Sequence, residues 1–261
     1  MTEAPPVLCE RVGAVAVVRL NRPDRLNAVT MAMLDLLRTT LTDAEAGGAR
    51  AVLVTGEGRA FCSGADLTDR GDPSKPLDPG ENIRAHYNPL ALTIAELKIP
   101  VVTAVNGPAA GAGASIALAG DIVVAARSAY FLLAFANIGL VPDAGATWLI
   151  ARGAGRAKVL EMALLGEKLR AEDALDAGLV TRVVDDAALF EEAMTIARKL
   201  AAMPTIALGL IRKQVAAALT GTLADTLAME AEHQTRAGQT ADFREGVAAF
   251  LEKRKAEFTG K

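Results

Sequence analysis

The chain has 261 residues, of which 51% are hydrophobic and 23% charged, with a formal net charge of −3. That length and balance describe a globular protein with one large core, or a core plus an appendage, and carry no basic footprint for nucleic acid. The two cysteines, Cys9 and Cys62, have neither metal-site nor disulfide spacing, so a reducing compartment, the cytoplasm, is expected. The opening MTEAPPVLCE lacks a basic start and an apolar core, and no signal peptide is expected.

Residues 7–11 and 14–20 alternate like strands and meet at Gly13, a hairpin. Asn21-Arg22-Pro23-Asp24-Arg25 ends the second strand. Thr30 can cap a helix whose apolar positions Met33, Leu34, Leu37 and Leu41 share one face, and Gly47-Gly48 stops it. Residues 51–55 read as a buried strand, followed by the glycine-punctuated loop GEGRAFCSGADL. RGDPSKPLDPG, residues 70–80, reads as an irregular, mobile loop or lid. A helix over about 82–97 follows, with Ile83, Leu90, Ile94 and Leu97 inward.

Residues 101–105 form a β-rich run ended by Asn106-Gly107-Pro108, because proline has no N–H and Asn-Gly favours a turn. Gly111, Ala112 and Gly113 then open a small-residue helix over about 112–119. The stretch 99–121 carries no charge before Asp121, but the Asn-Gly-Pro break argues against a membrane span, and GAG lacks the third glycine of a dinucleotide fingerprint. A strand that ends in a glycine turn opening a helix leaves N–H groups unpaired at the helix start, where negative charge is favoured. Packing with close neighbours is the alternative reading of the small residues.

Further on, 122–125 and 130–133 read as strands, 139–143 as a loop, and 144–151 and 155–165 as helices. Residues 171–177 read as a short helix and 179–184 as a strand. From Asp185 the pattern is helical, punctuated at Met203-Pro204 and Gly221-Thr222. The fold class is therefore α/β, with sheets covered by helices and a late helical layer.

Three stretches now carry a resemblance. They are Leu20-Asn21-Arg22-Pro23 with Asn27-Ala28, Ala60-Phe61-Cys62-Ser63-Gly64-Ala65-Asp66-Leu67, and the run from Ala104 through Asn106-Gly107-Pro108 to Gly113; residues 138–145 and 243–255 add to it. Together the sequence resembles the enoyl-CoA hydratase/isomerase (crotonase) superfamily along nearly its whole length. The resemblance implies a crotonase-like spiral of ββα units over residues 1–200 and a C-terminal helical trimerisation region over 201–261, hence a homotrimer or hexamer. It implies an acyl-CoA substrate, no cofactor beyond the coenzyme A of the substrate itself, and no nucleic-acid or membrane partner. The backbone N–H groups of Ala65 and Ala112 would hold the thioester oxygen as it becomes an enolate. Such donors are worth roughly 3–4 kcal/mol each in other enzymes. Arg25 and Leu26, with Ser63, Gly64, Asp66 and Leu67, would border the coenzyme; Gly111, Ser115 and Phe135 would line the acyl side; Phe250 and Lys253 would reach a neighbouring subunit's coenzyme.

Hydratases of this family use two glutamates around a water, and those positions are Ser115 and Phe135 here. Neither does carboxylate work. Asp143 instead stands where isomerases of the family carry an aspartate, with helix N-capping as its structural alternative. One carboxylate facing an enolate can take a proton at one carbon and return it at another. Burial near Phe135, Leu140 and Trp148 is expected to raise its pKa. Asp143 as a nucleophile with His86 and Phe135, a hydratase with water held by Ser115 and Asp143, and a non-catalytic binding module are the competing readings. His233, Glu81 and Cys62 read as structural.

Overall fold

The protein is described by a computed structural model that covers residues 4–69 and 78–261. The expected loop at 70–77 lies outside the described residues. β1 (Val7–Val12) and β2 (Val15–Leu20) form the expected hairpin around Gly13. β3 (Ala51–Gly56), β4 (Val101–Val105), β6 (Ile122–Ala126) and β9 (Arg182–Val184) then add in parallel, in the order β1-β2-β3-β4-β6-β9. A second sheet contains β5 (Pro108–Ala110), β7 (Tyr130–Leu132) and β8 (Lys168–Arg170).

β3 and β4 are buried at every residue, which explains their unbroken apolar runs, since a parallel sheet is covered on both faces. α1 (Met31–Ala46) packs against β1 and β2 through Met33, Leu34, Leu37 and Leu41, all buried, and Thr30 caps it by accepting a hydrogen bond from the Met33 N–H at 3.2 Å. α4 (Ala112–Leu118) is buried throughout and lies on β4. α8 (Leu189–Ala201) crosses β2, β3, β4 and β6 with Ala193, Met194 and Ala197 inward.

The helix expected over 82–97 begins earlier and changes pitch. Asp78 caps α2 (Pro79–Asn82), a π turn spans Ile83–Tyr87, and α3 (Asn88–Glu96) continues. Pro89 has no N–H for an ordinary α-helical bond, and the Asn88 N–H reaches back five residues to the Ile83 carbonyl. Residues 79 and 80, expected in the irregular loop, are thus helical. α5 (Ala146–Gly153) starts two residues later than the sequence suggests, α6 (Gly155–Leu165) where expected, and α7 (Ala171–Asp176) one residue shorter.

The expected strand at 179–184 contracts to β9, and β5 and β8 carry no strand signature at three residues each. β4 ends at Val105 and Pro108 begins β5, so the Asn-Gly-Pro turn moves the chain between sheets rather than out of strand structure. α9 (Thr205–Ala218), α10 (Leu223–Gly238) and α11 (Ala241–Glu252) complete the chain. Among the described residues, no single helix is long and apolar enough to cross a membrane.

Asn27 ties this frame together. Fully buried at φ 55°, its side chain accepts from the Arg22 N–H at 2.8 Å and donates to the Glu57 and Ala60 carbonyls at 2.9 and 2.8 Å. Asn106 adds bonds to the Gly58 carbonyl and from the Gly56 N–H. Asn27→Ala strands buried backbone groups and is expected to cost roughly 3 kcal/mol, read as a lower urea midpoint; a loss of under about 0.5 kcal/mol would contradict this account.

Candidate active site

The candidate site lies at the C-terminal ends of β3 and β4, where open parallel sheets present their ligand sites. The loop after β3 is stitched to the chain after β4. Cys62 N–H donates to the Pro108 carbonyl at 3.1 Å, the Ala110 N–H to the Cys62 carbonyl at 2.9 Å, and the Gly111 N–H to the Leu132 carbonyl at 2.8 Å. This ladder brings Gly64 and Gly111 into backbone contact. A Cβ on Gly64 would stand 2.9 Å from the Ala110 oxygen and 3.6 Å from the Gly111 Cα. Gly64 at φ 98° and Gly111 at φ 53°, ψ −130° also adopt conformations that side chains disfavour.

The residues that follow these two glycines are Ala65 and Ala112. The Val29 N–H donates to the Gly64 carbonyl and the Asp66 N–H to the Val29 carbonyl, both at 2.8 Å, so Ala65 itself turns its N–H away from that bridge. Ala112 is the first residue of α4, where an N–H has no intrahelical acceptor. Neither amide has an acceptor among the described residues.

The loop 21–28 docks alongside. Ser63 N–H donates to the Leu26 carbonyl at 3.0 Å, and Arg22 pairs with Asp66 at 2.9 Å. Hydrogen bonds from Thr68, with Arg22 beside them, hold the Asp66 carboxyl down at about 2. Asp66 is therefore engaged in holding the loops. Arg25 is exposed, has no carboxylate partner among the described residues, and borders a recess of about 730 Å³ with Arg22, Asp24 and Thr30. Leu67 is exposed beside it. A second recess of about 500 Å³, between Arg50, Lys98 and Lys213, lies at the other ends of β3 and β4 and is no part of this site.

Asp143 does not cap α5. Ala144 at φ 49° and Gly145 at φ 87° separate it from the helix, whose N-cap is Gly145 with no side-chain bond. It is the Asp143 carbonyl that is used, accepting from the Ala146 N–H and the Ser115 hydroxyl, each at 3.0 Å. Its Oδ1 is buried and has no partner among the described residues. Burial pushes the carboxyl up to about 6, since desolvation disfavours the charged form. Phe135 is buried, and its Cζ lies 3.8 Å from where a Gly111 Cβ would stand. Leu140 and Trp148, expected as apolar walls, are each 43% exposed, and Trp148 stacks with Arg152 at 4.3 Å.

The other titratable candidates have structural surroundings. His86 Nδ1 pairs with Asp35 at 2.9 Å, Glu81 is exposed in the first turn of α2, and His233 lies on α10. Cys62 is fully buried, which pushes its thiol up to about 12. Phe250 and Lys253 are exposed on the last helix and its C-cap. No group of three or more potential metal-ligating side chains occurs among the described residues. Sequence reading missed Tyr87, 4% exposed at the end of the π turn, and the Arg22–Asp66 pair. The one signal for Tyr87 was a polar-tipped aromatic just before Asn-Pro in an apolar helix.

Residues 10–261 match the family model described as Enoyl-CoA hydratase/isomerase. The chain is 50% identical over 250 residues to the 1,2-epoxyphenylacetyl-CoA isomerase of Escherichia coli (strain K12), covering 95% of each. It is 46% identical over 247 residues to a probable enoyl-CoA hydratase of Rhodobacter capsulatus, again covering 95% of each. The solved structure of enoyl-CoA hydratase from Bacillus anthracis superposes with a TM-score of 0.91 at 30% identity, covering 98% of this chain and all of that one. Fold and sequence agree along nearly the whole length, and the chain belongs to the enoyl-CoA hydratase/isomerase family, as an enzyme of the crotonase superfamily.

Proposed function

We propose that this enzyme isomerises an acyl-CoA thioester through an enolate, with Asp143 carrying the proton and the Ala65 and Ala112 N–H groups holding the thioester oxygen. The observation that carries the reading is Asp143, a buried carboxyl raised to about 6, with one oxygen unpartnered among the described residues. A base poised near neutrality is what α-proton abstraction needs. Fixed N–H donors then favour the state in which charge has moved to the oxygen. The same carboxyl returns the proton at a carbon conjugated with the enolate, which moves a double bond and requires no water and no cofactor beyond the substrate's own coenzyme A.

Hydration has less support. The two positions that would hold its glutamates are Ser115 and Phe135, and the Ser115 hydroxyl already donates to the Asp143 carbonyl. The relative of 50% identity that is named an epoxyphenylacetyl-CoA isomerase makes an epoxidised aryl-acetyl thioester the substrate class of first choice. Arg25 and Leu26, with Ser63, Gly64, Asp66 and Leu67, would border the coenzyme, and Gly111, Ser115 and Phe135 the acyl group. Exposed Leu223 and Leu227 on α10 and Phe250 and Leu251 on α11 support assembly through the C-terminal helices into a trimer or hexamer, since apolar clusters of this kind favour subunit contact. In that assembly Phe250 and Lys253 would meet a neighbour's coenzyme.

Asp143→Asn is expected to bind the thioester but to lose exchange of its α-protons with deuterated water by at least 100-fold, followed by mass spectrometry. Retained exchange would remove Asp143 from the mechanism.

In the wild type, kcat/KM for isomerisation should fall as pH drops through about 6, because only the ionised carboxyl accepts the proton.

Stability runs the opposite way. Burial raises the folded-state pKa above the ordinary carboxylate value of about 4, so the destabilisation is fully present above about pH 6 and fades as pH falls below about 4. Asp143→Asn should therefore stabilise the fold at pH 7.5 by on the order of 2 kcal/mol, and by nothing at pH 3.5, in denaturant titrations.

A further inference from the structure

Asp143 sits in a segment that the fold holds with few bonds. Residues 136–141 are exposed throughout, and Gly139, Ala144 and Gly145 take positive φ. Among the described residues, one hydrogen bond joins residues 141–144 to another element: the Ser115 hydroxyl donates to the Asp143 carbonyl at 3.0 Å. The Ala146 N–H, which shares that carbonyl, belongs to the helix that Asp143 itself leads into. The carboxyl adds no tie at Oδ1, which is buried without a partner among the described residues. The main chain therefore aims the carboxyl, and Ser115 holds the main chain. The other end of that bond is firm. Ser115 is 1% exposed on α4, a helix buried at every residue. The Thr103 hydroxyl donates to the Ala117 carbonyl of this helix at 2.7 Å, and a Cβ on its Gly113 would stand 2.2 Å from the Cys62 oxygen. Ala112, whose N–H has no acceptor among the described residues, opens the same helix. Residues three apart share one helix face, so Ser115 stands one turn behind that donor.

We propose that Ser115 is a positioning residue: its hydroxyl holds the Asp143 main chain in register with the Ala112 N–H, so that the acid and the thioester-oxygen donor are fixed to one helix. This rests on the reading of Asp143 as the proton carrier and of Ala112 as a thioester donor, given above. The hydroxyl itself touches no reacting atom. It acts on where the carboxyl stands when the α-proton leaves. Proton transfer needs the reacting atoms about 3–3.5 Å apart, and a displacement of about 1 Å costs up to about 100-fold in rate. The thioester is bound by other groups, so the loss falls on the chemical step and leaves affinity in place. Without the hydroxyl the segment also opens to water. The Asp143 carboxyl is raised to about 6 by burial, and a carboxyl that meets water titrates lower.

The test compares the full chain with its Ser115→Ala variant on exchange of the α-protons of phenylacetyl-CoA with deuterated water, followed by mass spectrometry. The maximal exchange rate is expected to fall about tenfold, with the half-saturating concentration within about twofold of wild type. The acid limb of the exchange rate should move down from about pH 6 by about one pH unit. A maximal rate within about twofold of wild type, a change confined to half-saturation, or a limb that stays in place would each overturn the inference. A hydroxyl that only stabilises the fold lowers the urea midpoint and leaves the limb where it was. A second measurement involves no turnover. The gain in urea midpoint from Asp143→Asn at pH 7.5 is read in the wild-type and in the Ser115→Ala background. It should shrink at least about twofold in the latter, because the carboxyl there has already reached water. An equal gain in both backgrounds would count against the positioning role. The two readings fail separately. Exchange that survives Asp143→Asn discards Asp143 as the proton carrier, while the urea comparison still decides whether Ser115 holds it in place.

Discussion

The backbone contact between Gly64 and Gly111 is the constraint on which the cleft depends. A Cβ on Gly64 would stand 2.9 Å from the Ala110 oxygen, so that side of the contact admits only glycine, while at Gly111 it is the positive φ of 53° that favours glycine. The rungs from Cys62 to Pro108 and from Ala110 to Cys62 hold that approach in register. Its consequence is electrostatic rather than steric. The next residue on each loop, Ala65 and Ala112, is left with an N–H that has no acceptor among the described residues. Main-chain donors held in this way need no reorganisation when charge develops in front of them. The surrounding asparagine knots at positions 27 and 106 make the loops stiff enough for that to matter.

Asp143 shows the reverse of economy in stability. An aspartate just before a helix would normally satisfy the helix N-terminus, and here the chain withholds it by inserting two left-handed residues, Ala144 and Gly145. A non-glycine residue at positive φ is strained, and a buried carboxyl with an unpartnered oxygen is costly. Both features run against folding, and they suit the proton transfer proposed for Asp143. The Ser115 hydroxyl braces the Asp143 main chain by donating to its carbonyl.

On the proposed reading, this division also separates a coenzyme end from an acyl end. At the coenzyme end, charges are paired and exposed: Arg22 with Asp66, and Arg25 beside an open recess. At the acyl end, Phe135, Ser115 and Tyr87 are buried, and burial raises the Asp143 carboxyl to about 6. Low-polarity surroundings strengthen each remaining interaction.

Much of this was legible in the residues. Periodicity located β1 to β4, α1, α4 and α6, because each buries one repeating face or runs apolar throughout. The motifs around Asn27, Gly64 and Gly111 led to the superfamily, and the Ser115 and Phe135 positions to a departure from two-glutamate chemistry. Strands of three residues, such as β5 and β8, carry too few side chains to show a period, and their pairing comes from distant partners. Asp143 reads equally as a cap or as an acid, because both need a short carboxylate before a helix; the left-handed turn at Ala144 and Gly145 separates the two. Tyr87 was not singled out in the sequence; the structure places it at the end of the π turn, beside Ser115 and Ala144. What the sequence by itself determined was which backbone is free of side chains and which positions lack an acid, since these are properties of single residues. The tertiary structure alone decided which polar atoms remain unpartnered, because that depends on groups brought together from far apart in the chain.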